Sequence, residues 1–438
     1  MTPIIKGLYP SGTEFSFHNV YRFPLLLYDS DAMYQIVLKT GKEKQLLKHH
    51  PWVFSGAIES VSPKFNTGDM ARVMTSEGRF VAYGWYDEKS HIILHLMSWD
   101  EDVLPDDDFL IHAVKAAVLR RKNLFLGHET EAFRLIHGEA DFIPGVACDI
   151  YAGNIRIIIS SRYAAAKLGV MVKTLTSSLK PKSVTVFTDK EYARAESLSQ
   201  KTLYFDSEGN EVKDNPGNIT FQESGIFYEI ENTVSQKSGF YCDQRDNRNI
   251  VEEYSSGKTI LDACSYTGAF TLHALRGGAE SVTALDASES ALRHLLYQIH
   301  INEDRGVLPE GSREKVSIKS CDVFEEMRAI EKDKYDLMIL DPPKLAATKG
   351  KLDNALRAYK DLNRVAMMKI RNGGIIASFS CSGSVTRETF RQMIAYAAAD
   401  AGVEVQLLRT LSAGEDHPIR ISFPESEYLK GYVYRVIK

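Results

Sequence analysis

The sequence is poor in cysteine. The five thiols, at 148, 242, 264, 321 and 381 of 438 residues, form no C-x-x-C pair and leave an odd one over. That spacing excludes a disulfide framework and a zinc site, and it suits a reducing, cytoplasmic setting. Long apolar runs are missing as well. None approaches the roughly 20 residues of a membrane span, so no membrane partner is expected. The N-terminus lacks a basic stretch followed by an apolar one, so no secretory leader is expected either. Charge of one sign is also scarce. The 53 basic and 58 acidic residues give a net charge of −5, which argues against a surface that grips nucleic acid all over but allows a local basic face. With 44% hydrophobic and 25% charged residues the chain reads as globular, and its length calls for two or three domains.

Residues 1–32 show no clear period and read as an N-terminal extension, non-native or variable. Residues 33–103 hold short strands broken by Gly56, Gly68, Gly78 and Gly84, a small β-barrel pattern. Within them Lys39, Lys42, Lys44 and Lys48 cluster near Trp52. Cations beside an aromatic ring suit a phosphate backbone with a stacked base, although a solvated turn has the same composition. Residues 104–235 read as an α+β unit: an amphipathic helix, several short strands, and a hairpin turning at Glu223-Ser224-Gly225. From 236 to 438 apolar strands alternate with helices. That pattern predicts a mostly parallel seven-stranded sheet covered on both faces, a Rossmann-like α/β fold.

In such sheets ligands bind beyond the carboxyl ends of the strands. Asp262, Asp286, Asp322 and Asp341 stand at four of those ends and Cys381 at a fifth. The first strand turns through "LDACSYTGAF", which has only Gly268 and so lacks the G-x-G-x-x-G of a pyrophosphate cradle. A carboxylate at Asp262 repels pyrophosphate and welcomes an ammonium. Asp286 is placed for ribose hydroxyls, and Asp322 for an adenine amino group. Singly, each Asp reads as a helix cap or solvated strand end. Together they describe S-adenosylmethionine (SAM) better than NAD. Gln244 and Arg245 of "CDQRDNR" either close the far side of that cofactor or begin a surface helix.

Asp341-Pro342-Pro343-Lys344 is a stiff turn, because neither proline has a free φ or an N–H. Lys344 occupies the place where amine methylases carry an aromatic residue. Cys381, in "SFSCSGSVT", has the character of a nucleophile. Carbon 5 of a pyrimidine becomes reactive only after a thiolate adds to carbon 6. Asp341 is positioned to hold the N3 edge of cytosine. His417, Asp416 or a water can then take the carbon 5 proton. Four of the cysteines read as ordinary thiols, with Cys264 the one competitor.

"LDACSYTGAF", "DPPK", "GYVYRV", "DHPI" and above all "SFSCSGSVT" resemble the bacterial large-subunit rRNA cytosine-5 methyltransferases of the rRNA methyltransferase I type, over residues 33–438. The resemblance extends to "KHHPWVFSGAI", similar to their PUA domain, and to "FRLIHGEADFIPGVACD" of their central domain. It implies SAM as donor, cytosine in 23S rRNA or a pre-50S particle as target, Cys381 as nucleophile, and cofactor contacts at Asp262, Gly268, Asp286 and Asp322. RNA contacts are expected at Lys39, Lys42, Lys44, Lys48, Trp52, Lys344 and His417. A second cysteine that wider relatives carry in the motif matching "DPPK" is absent. Uracil-5 methylation, guanine-N7 methylation and a non-catalytic RNA-binding assembly role stay open on the residues alone, as does a homodimer.

Overall fold

The computed structural model describes residues 34–62, 68–125, 129–188, 193, 198–231, 239–345 and 352–438. The expected extension at 1–32 lies outside them.

Residues 35–98 form a six-stranded sheet. Its two edge strands, Trp52–Val53 and Ile58–Val61, are joined by a single 3-10 turn at Ser55–Ala57. So short a link draws the edges together and curls the sheet toward a barrel around Ile36, Leu38, Val73, Leu94 and Leu96. A second six-stranded sheet spans residues 132–212. The helices Asp107–Leu124 and Leu168–Leu179 pack on it through Leu110, Val114, Met171 and Leu175. Asp106 caps the first of these helices, its carboxylate accepting from the Phe109 N–H at 2.9 Å.

The last unit is a seven-stranded sheet. Its strands are β1 (Thr259–Ala263), β2 (Ser281–Asp286), β3 (Val316–Ser320), β4 (Leu337–Leu340), β5 (Ile375–Ser380), β6 (Glu404–Ser412) and β7 (Lys430–Ile437). Their spatial order is β3-β2-β1-β4-β5-β7-β6. β1 to β5 are parallel, while β7 runs antiparallel between β5 and β6. The helices α1 (Arg245–Glu253), α2 (Ala269–Arg276), α3 (Glu289–Asp304), α4 (Val323–Ala329), α5 (Leu352–Lys369) and α6 (Arg387–Ala401) alternate with them. Two apolar layers result, one on each face of the sheet. That is why β4 reads as an unbroken Leu-Met-Ile-Leu rather than alternating. The chain order reverses between β1 and β4, opening a crevice at their carboxyl ends.

The hairpin Ile219–Glu223/Ile226–Ile230, grouped by sequence with the central unit, packs instead in the core of this last one. Asn302 and Gln298 of α3 bind its backbone, accepting from the Phe227 N–H at 2.8 Å and the Glu229 N–H at 3.0 Å. Its local alternation fits any sheet; only its partners on α3 decide where it belongs. Among the described residues, no helix is long and apolar enough to cross a membrane.

Candidate active site

The loop after β1 is bent at three of its five residues. Cys264, Tyr266 and Gly268 have φ of +65°, +50° and +80°. The first two carry side chains in a left-handed conformation, a strain that clusters at functional sites. Gly268 is required sterically, since a Cβ there would stand 2.2 Å from Leu295 Cγ on α3. Asp286, at the end of β2, fixes the loop. One of its oxygens accepts from the Tyr266 N–H and the other from the Ser288 N–H, both at 2.8 Å.

Asp262 is fully buried. One oxygen accepts from the Thr271 hydroxyl at 2.7 Å, and the other has no partner among the described residues. Burial, helped by Asp286, pushes its carboxyl up to about 7. Ser265 Oγ and Asp243 Oδ1 are likewise buried without a partner. Three buried polar atoms short of a partner, two of them carboxylate oxygens, suit a ligand bearing an ammonium and hydroxyls, as SAM does. Asp322 caps α4, accepting from the Glu325 N–H at 3.1 Å. The helix-cap reading of that residue holds, with the second oxygen left over.

Asp341 begins the turn after β4, half-buried. Its carboxyl is pushed up to about 7 by burial first, then by the carboxylates of Asp243 and Asp262, against a hydrogen bond from Gln244. Cys381 follows β5. Its Sγ lies 4.0 Å from the carbonyl oxygen of Pro342, so thiol and proline turn share one wall of the crevice. Burial raises the Tyr241 phenol, with Tyr266, Asp243, Asp341 and Cys381 adding to it in that order, so Tyr241 stands near both Asp341 and Cys381. The Tyr241 ring also meets that of Tyr266 edge-on, centroids 5.7 Å apart.

Cys264 is settled by its surroundings. Burial, and then Asp341, Asp286 and Asp262, push its thiol far up, so it lines the pocket protonated. Burial does the same to Cys148 and Cys242.

Four sequence expectations are corrected by geometry. Arg245 does not face the crevice. Its guanidinium binds Asp416 at 2.9 and 3.2 Å and lies over the Phe125 ring. The member of that segment that reaches Asp341 is its neighbour Gln244. His417 is buried with its ring against His137, 5.2 Å between centroids, and 3.3 Å from Asp416; burial denies it both RNA and a proton-acceptor role. Asp416 is spent too. Burial would raise its carboxyl, but His417 and Arg245 hold it well below the carboxylate range. It also accepts from the Arg134 N–H at 2.8 Å, tying the central domain to the last. Trp52 is half-buried at a similar junction. Its indole N–H donates to Glu139 at 2.9 Å and its ring packs on Phe423, which leaves it a strut rather than a platform for a base.

Lys39, Lys42, Lys44, Lys48 and Lys344 are exposed. Among the described residues none of them forms an ion pair, though Lys39 Nζ donates to the Gly56 carbonyl at 3.3 Å. Sequence reasoning missed Tyr241, Asp243, Tyr359, Tyr428 and Lys430. The Tyr428 hydroxyl donates to Asp243 at 2.6 Å, and Tyr359 joins Ser382 at 3.1 Å. "GFYCDQR" carried a signal for the first two in its aromatic and acidic residues just before α1.

Residues 36–99 match the family described as a PUA-like domain, and residues 195–392 the S-adenosylmethionine-dependent methyltransferase family. The chain is 34% identical over 405 residues to a ribosomal RNA large subunit methyltransferase I of Pseudoalteromonas atlantica, covering 92% of this chain and 99% of that one. It is 34% identical to the protein of that name from Aeromonas salmonicida, covering 91% and 98%. SMU.776, a methyltransferase solved in complex with SAH, superposes with a TM-score of 0.77 at 20% identity, over 92% of this chain and all of that one. A SAM-dependent methyltransferase structure from Streptococcus mutans superposes at 0.75 and 19% identity, with the same coverage. Sequence identity of this extent over nearly the whole of both chains places the protein in the ribosomal RNA large subunit methyltransferase I family of SAM-dependent methyltransferases.

Proposed function

We propose that this protein transfers a methyl group from SAM to carbon 5 of a cytosine in large-subunit (23S) rRNA through a covalent Cys381 adduct. The observation that carries the reading is the shared wall of Cys381 and the Asp341 turn. It sets a thiol and a turn that opens on a carboxyl raised to about 7 at the ends of two neighbouring strands, next to the switch point of the sheet.

When bound, SAM supplies an electrophilic methyl group; the chain's own residues prepare the acceptor. The Cys381 thiolate adds to carbon 6 of the base. Protonated Asp341 donates to N3, which in cytosine has no hydrogen, and so offsets the charge that addition pushes into the ring. Uracil carries a hydrogen on N3 and would present a donor to a donor, which favours cytosine. After transfer a base removes the carbon 5 proton, the C5=C6 bond re-forms, the C6–S bond breaks and the thiolate leaves. N3 returns its proton to Asp341. With His417 and Asp416 buried elsewhere, the reading assigns that proton to a water. Guanine-N7 methylation would need no thiol and leaves the placement of Cys381 without a purpose.

Among the described residues Asp262, Gly268, Asp286 and Asp322 are the contacts proposed for SAM, with Gln244 adjoining them. Lys39, Lys42, Lys44, Lys48 and Lys344 are those proposed for RNA. Bisulfite sequencing of 23S rRNA from cells lacking the protein tests the reading. One cytosine is expected to lose its protection and to regain it on re-expression. An unchanged bisulfite pattern, with a methyl group missing from a uracil or guanine, would overturn it.

Asp262→Asn is expected to weaken SAM binding about 10- to 100-fold, the worth of a charge-assisted hydrogen bond in a buried site. Because the Asp262 carboxyl sits near 7 and a cationic ligand prefers the carboxylate, wild-type affinity should rise from pH 5.5 to 7. In the variant that rise should flatten. Calorimetry measures both, and an unaltered affinity would remove Asp262 from the cofactor site.

A further inference from the structure

Lys430 is the first residue of β7 and only 1% exposed. It pairs across the sheet with Ser380, the residue before Cys381. Its Nζ donates to the carbonyl of Ser382 at 2.9 Å and to that of Val385, the two ends of the turn that follows the nucleophile. A buried ammonium is costly unless an anion faces it. Among the described residues, no carboxylate lies within ion-pair distance of Lys430. The ionisable groups that bear on it are, in order of strength, Glu427, Arg387 and Cys381. Arg387 occupies Glu427 at 2.7 Å, which takes up that carboxylate. Tyr359 and Tyr432, the nearby phenols, are turned to Ser382 Oγ at 3.1 Å and to the Arg387 carbonyl at 3.1 Å. Two of the three Nζ protons are committed to carbonyls, and Cys381 lies between Ser380, which pairs with Lys430, and Ser382, whose carbonyl Lys430 holds.

We propose that Lys430 is a positioning residue for methyl transfer: it pins the turn after Cys381 and acts as the counter-charge of the Cys381 thiolate. The inference rests on the reading of Cys381 as nucleophile. Consistent with it, burial lowers the ammonium to about 8, with Cys381 among the groups that raise it again. The cation is therefore charged at neutral pH, where the thiolate is needed, and the two groups titrate as a pair.

The test is the pH dependence of Cys381 alkylation by iodoacetamide in the full chain, followed at the Cys381 peptide by mass spectrometry. In the wild type, half-maximal reactivity is expected about one pH unit or more below the ~8.5 of a free thiol. In Lys430→Met that midpoint should climb by about one unit. Methylation kcat should fall at least tenfold, with KM for RNA little changed, and Lys430→Arg should restore most of the midpoint. A purely structural role would lower activity without moving the midpoint. A wild-type midpoint at or above 8.5 overturns the proposal, as does an unmoved midpoint in Lys430→Met. Should Lys430→Met fail to fold, the wild-type and Lys430→Arg midpoints decide. An inactive Cys381→Ala with a normal wild-type midpoint sinks only the role of Lys430. An active Cys381→Ala sinks the nucleophile reading beneath it.

Discussion

Cys381→Ala is expected to lose methyl transfer by at least about 10⁴-fold while still binding SAM and melting near the wild-type temperature. The size follows from what the thiol does. Without addition to carbon 6, carbon 5 is part of an aromatic ring and has no electron pair to offer, so remaining contacts can hold a substrate that does not react. Retained binding follows from position. Cys381 ends β5, across the proline turn from the β1 loop and Asp286, and alanine removes only a half-buried sulfur. A second measurement isolates the covalent step. An RNA with 5-fluorocytidine at the target has no carbon 5 proton to lose after transfer, so wild-type enzyme should stay linked to it through C6–S. Mass spectrometry of the complex would place the link on the Cys381 peptide. Multiple turnover by Cys381→Ala, or the same adduct formed at Cys264, would end the assignment.

The sequence showed the catalytic sheet well and the junctions between domains poorly, for the same physical reason. Strands buried on both faces are apolar throughout, and the helices between them repeat every 3.6 residues, so β1 to β7 are visible locally. Strand ends are visible with them, and with the ends come Asp262, Asp286, Asp341 and Cys381. Arg245, His417 and Trp52 belong to another kind of feature. Their partners, Asp416, His137 and Glu139, lie on other elements, and Arg245 and Asp416 are 171 positions apart. No local period records such a pairing, and a cation or an aromatic beside a motif looks the same whether it meets ligand or protein. Lys430 shows a weaker version of this problem. A lysine opening "KGYVYRVI" reads as a solvated strand end, and only the register of β7 against β5 turns it inward beside Ser380. The raised carboxyl of Asp341 was equally hidden, because it depends first on burial in the folded crevice and then on Asp243 and Asp262 arriving from two other segments.

Asp341→Asn is expected to lower kcat about 10²- to 10⁴-fold, the range spanned by a positioned general acid, and to change the shape of the pH profile. In the wild type two ionisations oppose each other. Activity needs the Cys381 sulfur deprotonated, so it rises with pH on the acid side. It also needs Asp341 protonated, and the protonated fraction falls as pH passes about 7, so activity falls on the alkaline side. The cofactor's positive charge draws that alkaline limb downward in the complex. An amide at position 341 can still donate a hydrogen bond to N3, but it cannot pass a proton and does not titrate. The residual activity of the variant should therefore keep the rising limb and lose the falling one. Asp243→Asn offers an independent check of sign: removing a carboxylate that pushes Asp341 up should move the falling limb to lower pH without abolishing it. Single-turnover rates between pH 5.5 and 9 at saturating SAM measure all three proteins. A falling limb that persists unchanged in Asp341→Asn would transfer the proton to another group. Were Asp341 to work as a carboxylate, a form that suits the N3 hydrogen of uracil better than the bare N3 of cytosine, its ionisation would govern the rising limb, and Asp243→Asn would move that limb to lower pH.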